Sequence, residues 1–79
     1  MTLHRAFGFR FVVYSNDHAP SHVHLIGQGG QAKVILRPDG QVTLDWSIGI
    51  ARHDLRRLLQ EATARHGELT AGWEQLHDE

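Results

Sequence analysis

The sequence predicts an α+β domain in which a four-stranded antiparallel meander is followed by a C-terminal helix. Two observations predict it. Between Phe9 and Trp46, apolar and polar residues alternate in short aromatic and β-branched runs separated by polar turns. From Leu55 onward the alternation stops, and apolar residues recur on one stripe of period 3.6, as on one side of a helix.

The first expected strand is Phe9 to Tyr14. Asn16 to Ser21 is polar and contains Pro20, which disfavours helix just before it, so this segment reads as a loop. His22 to Ile26, Ala32 to Leu36 and Gln41 to Trp46 alternate as strands, with Gly27-Gln28-Gly29-Gly30 and Pro38-Asp39-Gly40 as turns between them. A three-residue Pro38-Asp39-Gly40 loop sets Arg37 opposite Gln41, Leu36 opposite Val42, Val34 opposite Leu44 and Lys33 opposite Asp45. Apolar residues then meet apolar ones on one face and opposite charges meet on the other. The predicted core face is Phe9, Phe11, Val13, Val23, Leu25, Val34, Leu36, Val42, Leu44 and Trp46. The other face carries Arg10, Val12, Tyr14, His22, His24, Ile26, Lys33, Ile35, Thr43 and Asp45. Its apolar members, Val12, Tyr14, Ile26 and Ile35, form an exposed patch of the kind that meets a partner.

The helical stripe is Leu55, Leu58, Leu59, Ala62, His66, Leu69, Trp73 and Leu76, with Asp54 opposing the dipole in the first turn. A continuous helix from Ala51 to His77 would run about 40 Å, and a six-residue strand covers only about 20 Å. The helix is therefore expected to break near His66-Gly67. Trp73 and Leu76 extend the stripe beyond one short sheet, which argues for a homodimer or another partner.

A chain of 79 residues makes one domain, residues 1–79, with a thin core. It has no cysteine, so neither disulfides nor thiolate metal sites supplement that core. Eight Lys and Arg against nine Asp and Glu leave a charge of −1, which argues against non-specific nucleic-acid binding. The first residues lack the apolar stretch of a secretory signal, and no run reaches the roughly 18 apolar residues of a membrane span. The expectation is a cytoplasmic protein without membrane contact.

Seven histidines in 79 residues are the unusual feature. His18, His22 and His24 follow Asn16-Asp17 in a His-x₃-His-x-His pattern. Residues two apart on a strand point to the same side, so His22 and His24 can chelate a divalent transition metal such as zinc, with His18 as a third ligand from the loop. Three protein ligands plus water is the pattern of a catalytic zinc site. Asp17 or Asp45 would serve as a fourth ligand or orient a ligating ring. Without metal, His22 or His24 is a candidate general acid or base, with Lys33 or Arg10 steadying phosphate charge. The bland alternative is that these histidines only hydrogen-bond the backbone or face solvent.

Arg5-Ala6-Phe7-Gly8-Phe9, followed by Ser15-Asn16-Asp17-His18-Ala19-Pro20-Ser21-His22-Val23-His24, resembles the prokaryotic family called domain of unknown function 4160. The similarity continues through Gly27 to Ala32, through Asp54-Leu55-Arg56-Arg57-Leu58 and to Trp73. Ala51 departs from the pattern, because relatives usually place a helix-capping serine there. The family has no settled activity. The resemblance implies pairing with a second small gene, as in toxin–antitoxin modules, and hence a small protein partner. A looser similarity of layout links Ser21-His22-Val23-His24, Arg37 to Thr43 and Asp54 to Leu58 to HicA-type messenger-RNA-cleaving toxins. Here Pro20 replaces the first glycine of the toxin turn, and a strand replaces the toxin's leading helix.

Three functions follow as expectations. The first is a protein-interaction component of a two-gene toxin–antitoxin-like module. The second is a metal-independent ribonuclease working through His22 or His24. The third is a divalent-metal-binding protein using His18, His22 and His24.

Overall fold

Five strands, one more than the hydrophobic alternation indicates, form a single antiparallel sheet in sequence order. The computed structural model describes residues 1–77. The strands are β1 (Thr2–Ala6), β2 (Phe9–Val12), β3 (His22–Gly27), β4 (Gly30–Leu36) and β5 (Val42–Ile48), followed by helices α1 (Arg52–Ala64) and α2 (His66–His77). The added strand is β1. It pairs with β2 from Thr2 opposite Val12 to Ala6 opposite Phe9, with an irregularity between Thr2 and His4. Its sequence, Thr-Leu-His-Arg-Ala, alternates poorly, and the turn that joins it to β2 is Phe7-Gly8. Both turn residues have positive φ, 56° and 80°, as the two-residue hairpin turn compatible with strand twist requires. A phenylalanine at the first of those positions is not a recognised turn signal, so the hairpin is hidden. Gln28-Gly29 makes the matching turn between β3 and β4, with Gly27 opposite Gly30.

The β4–β5 hairpin has the expected Pro38-Asp39-Gly40 loop, with Leu36 opposite Val42 and Val34 opposite Leu44. Beyond Val34 the expected register fails. Lys33 faces Trp46, not Asp45, because Asp45 is an extra residue in a β-bulge. One inserted residue reverses the alternation downstream. Trp46, expected in the core, is therefore 37% exposed, and Ile48 is 65% exposed. Lys33 still reaches Asp45, at 3.5 Å between Nζ and Oδ2.

The core joins Phe9, Phe11, Val13, Val23, Leu25, Ala32, Val34 and Leu36 of the sheet region to Leu58 and Ala62 of α1 and Leu69 and Trp73 of α2. The helical segment is two helices, not one. The interruption falls at Arg65, where φ is −102° and ψ is 14°, and Gly67 lies inside α2. Arg65 is braced by Glu61 and Glu68 at 3.2 and 3.1 Å. The His66 ring donates from Nε2 to the Arg37 carbonyl at 2.6 Å, which anchors the start of α2 to the β4–β5 loop. The break folds Trp73 and Leu76 back onto their own sheet. That removes the apolar surplus from which a homodimer was expected.

His4 on β1 meets Glu61 on α1 at 2.6 Å and packs its ring edge-on to Phe11. That hydrogen bond, reinforced by Arg65, holds the Glu61 carboxyl below its ordinary value. The N-cap position of α1, Ala51, makes no side-chain capping bond, since a methyl group cannot accept from the free amides of the first turn. Among the described residues no helix is long and apolar enough to cross a membrane.

Leu58 is fully enclosed between sheet and helix. Leu58→Ala is expected to lower unfolding free energy by about 2–5 kcal/mol, measured by chemical denaturation. A loss below about 0.5 kcal/mol would place Leu58 outside the core.

Candidate functional site

The polar loop after β2 folds back on itself through one carboxylate. The Asp17 amide donates to the Tyr14 carbonyl at 3.1 Å, and the Tyr14 amide donates to Asp17 Oδ2 at 3.1 Å. Short acidic side chains favour such turns because they bond nearby backbone groups. The reciprocal pair presents the carboxylate to the start of β3. Asp17 Oδ2 lies 3.4 Å from His22 Nε2, and Oδ1 lies 3.7 Å from His24 Nε2. Ligand atoms of Asp17, His22 and His24 all lie within 4.8 Å of one another.

His22 and His24 converge because they are two apart on β3, but their environments differ. His22 is 4% exposed, and its ring packs against Trp73 at 4.9 Å and against His24 at 5.1 Å. Trp73 is in turn stacked on His77 at 3.8 Å. His22 Nδ1 lies 2.9 Å from the Pro20 carbonyl. A carbonyl only accepts, so Nδ1 carries the proton, and the neutral ring is left with a bare lone pair on Nε2. That lone pair faces a carboxylate oxygen, which is also an acceptor. The contact is complete only with a cation between the two, either a proton on His22 or a metal ion.

His24 is half-buried, lying between Tyr14 at 5.2 Å and Trp46 at 6.5 Å. Burial is the largest influence on its imidazole and lowers its pKa from the ordinary 6.5. Asp17 pulls the other way without offsetting burial, and His22 and Lys33 push it further down. The neutral ring, the form that ligates metal or accepts a proton, is therefore favoured near neutrality.

The structure thus gathers two of the three predicted histidines and adds Asp17, which the sequence offered only as an auxiliary. His18 is exposed on the loop and is not in the group. Asp45 pairs with Lys33 instead. As a general acid or base, His24 is the more accessible ring, since His22 is enclosed. Trp46 joins the site only because of the bulge, and no sequence signal marked it. Lys33 is directly opposite His24, and Arg10 is opposite Ile26 on the same outer face of the sheet.

The family model described as Domain of unknown function (DUF4160) matches residues 8–74, which include every residue of the site. No curated protein and no solved structure shows significant similarity to the chain.

The lowered His24 pKa has a signed consequence. An unfolded chain takes up a proton on this residue near pH 6.5, before the folded chain does. Stability is therefore lost as pH falls through that value, and the loss levels off below the folded pKa. The groups facing His24 are Asp17, His22, Lys33 and Tyr14. Denaturation of metal-free protein is expected to show a shallower acid loss between about pH 7 and 5 in His24→Gln than in wild type. Identical slopes would refute the assignment.

Proposed function

The chain belongs to the DUF4160 family, whose description names no activity, and from its own geometry we propose that it is a divalent-metal-binding protein ligated by Asp17, His22 and His24. The observation that carries this reading is the Asp17–His22 contact, where two acceptors face each other at 3.4 Å. A tetrahedral zinc ion with bonds of about 2.0–2.2 Å holds its nitrogen and oxygen ligands about 3.4 Å apart. The 3.4 and 3.7 Å separations match that spacing better than the 2.7–3.0 Å of a charge-assisted hydrogen bond.

The surroundings support the same reading. A metal-ligating histidine usually donates its other nitrogen to a carbonyl or carboxylate, as His22 does to Pro20. Asp17 is likewise oriented by the Tyr14 amide. Two imidazoles and one carboxylate would leave a coordination position for water or a substrate atom on such an ion. Such an ion would act as a Lewis acid or lower the pKa of bound water.

Calorimetric zinc titration tests the reading. Wild type is expected to bind one ion per chain, and Asp17→Asn and His24→Gln are each expected to weaken binding at least tenfold. His18→Ala should bind as wild type does. His22 is a poorer probe, because removing a ring packed on Trp73 also opens the core. Equal affinity in wild type, Asp17→Asn and His24→Gln would reject the site, as would absence of binding.

A further inference from the structure

The outer face of the sheet combines exposed rings with two arginines that have no acidic partner among the described residues. Tyr14 and Trp46 are 42% and 37% exposed and flank His24. Lys33 lies between His24 and Trp46 in the cross-strand register. Next to that row, Arg5 on β1 is directly opposite Arg10 on β2, and both are exposed. Like charges directly opposite one another destabilise a sheet. Neither arginine has an acidic partner within ion-pair distance among the described residues. Two arginines set directly opposite each other on neighbouring strands, with no acidic partner among the described residues, are a binding feature for anionic oxygens, phosphate above all.

The near-zero net charge hides a separation. Residues 1–57 carry seven Lys and Arg against four Asp, whereas residues 58–79 carry one Arg against five acids. The sheet and the start of α1 are thus basic, and the remainder is acidic. Five strands about 4.8 Å apart make a face roughly 19 Å wide, with the arginine pair on one side and Trp46 on the other.

We propose that this face binds a single nucleic-acid strand, with bases stacked on Tyr14 and Trp46 and phosphates held by Arg5 and Arg10. An open sheet carrying exposed aromatic rings can stack two or three unpaired bases. A duplex cannot be held in this way, because its base faces are already stacked on each other. The arginine pair favours a polyanion over an apolar protein surface. The inference rests on Arg5, Arg10, Tyr14 and Trp46, none of which is a proposed metal ligand, so it stands or falls separately from the metal reading.

Fluorescence anisotropy with labelled single-stranded RNA and DNA of about 12 nucleotides tests it, with the corresponding duplex as control. Wild type is expected to bind single strands with Kd of about 1–100 μM near physiological salt and the duplex at least tenfold more weakly. Trp46→Ala should weaken binding about tenfold. Arg5→Gln with Arg10→Gln should weaken it and reduce the salt-dependence slope by about 1.4, the contribution of two single-strand phosphates. These side chains are exposed, and circular dichroism should confirm unchanged folding. Wild type should bind the strand equally well with and without EDTA, which would strip any ion from the proposed metal site. Absence of single-strand binding, equal binding of the duplex, or wild-type affinity in both variants would overturn the proposal. So would a wild-type dimer in sedimentation that Trp46→Ala dissolves, since a second copy would then fill the face.

Discussion

The turn at Tyr14–Asp17 determines how the loop meets the sheet. Each residue's amide bonds to the other, one to a backbone carbonyl and one to a carboxylate oxygen. A carboxylate satisfied by one backbone donor still has unused lone pairs, and here they are aimed at two imidazoles on β3. Those imidazoles are also constrained from behind: His22 by the Pro20 carbonyl and the Trp73 ring, His24 by Tyr14 and Trp46. Neutralising the Asp17 carboxylate, as in Asp17→Asn, leaves an oxygen for the Tyr14 amide but removes the negative charge that faces the two imidazoles. The electrostatic content of the site therefore lies in one acidic side chain of a loop.

Much of this was legible in the sequence, for specific reasons. Alternation on β2, β3 and β4 identified Phe9, Phe11, Val23, Leu25, Val34 and Leu36 as core, because strand periodicity binds side chains to a face. The two-residue spacing of His22 and His24 likewise required that they project together. The helix stripe placed Leu58, Ala62, Leu69 and Trp73 inside. Three features escaped. Thr2–Ala6 lacks alternation and is followed by a turn led by Phe7, so β1 left no pattern. The bulge at Asp45 changes backbone geometry without changing composition, so Trp46 was assigned to the wrong face. His18 was grouped with the other histidines by residue type, although a loop position carries no face periodicity, whereas Asp17 was drawn in by backbone bonds that spacing does not encode.

Two of these omissions have the same effect on the outer face. Without β1, Arg5 has no position relative to Arg10. Without the bulge, Trp46 belongs to the core. Net charge alone then indicates dispersed basic residues, and Tyr14 has no tryptophan beside it. Once the strand and the bulge are in place, two arginines are adjacent and a tryptophan joins Tyr14 on the same surface. Summed charge is a property of the chain, but recognition depends on where the charges fall, and that is set by hydrogen-bond register.

A domain of this size has few rigid positions to offer a site. The one it uses is β3, paired on both sides and backed by α2 through Trp73. His22 consequently belongs to two structures at once. Its ring fills space against Trp73, which is itself stacked on His77, while Nε2 belongs to the polar cluster. A ligating histidine gains orientation from such packing, since its ring cannot rotate without disturbing the core. The arrangement also couples the two regions. An ion held between Asp17 and His22 would fix the ring on which α2 leans, and loosening of α2 would release the ring that holds the ion. Through that indole–imidazole contact, a proposed ion at the loop would be coupled to the seating of the C-terminal helix, which is also held by Leu69 in the core and by the bond from His66 to the Arg37 carbonyl.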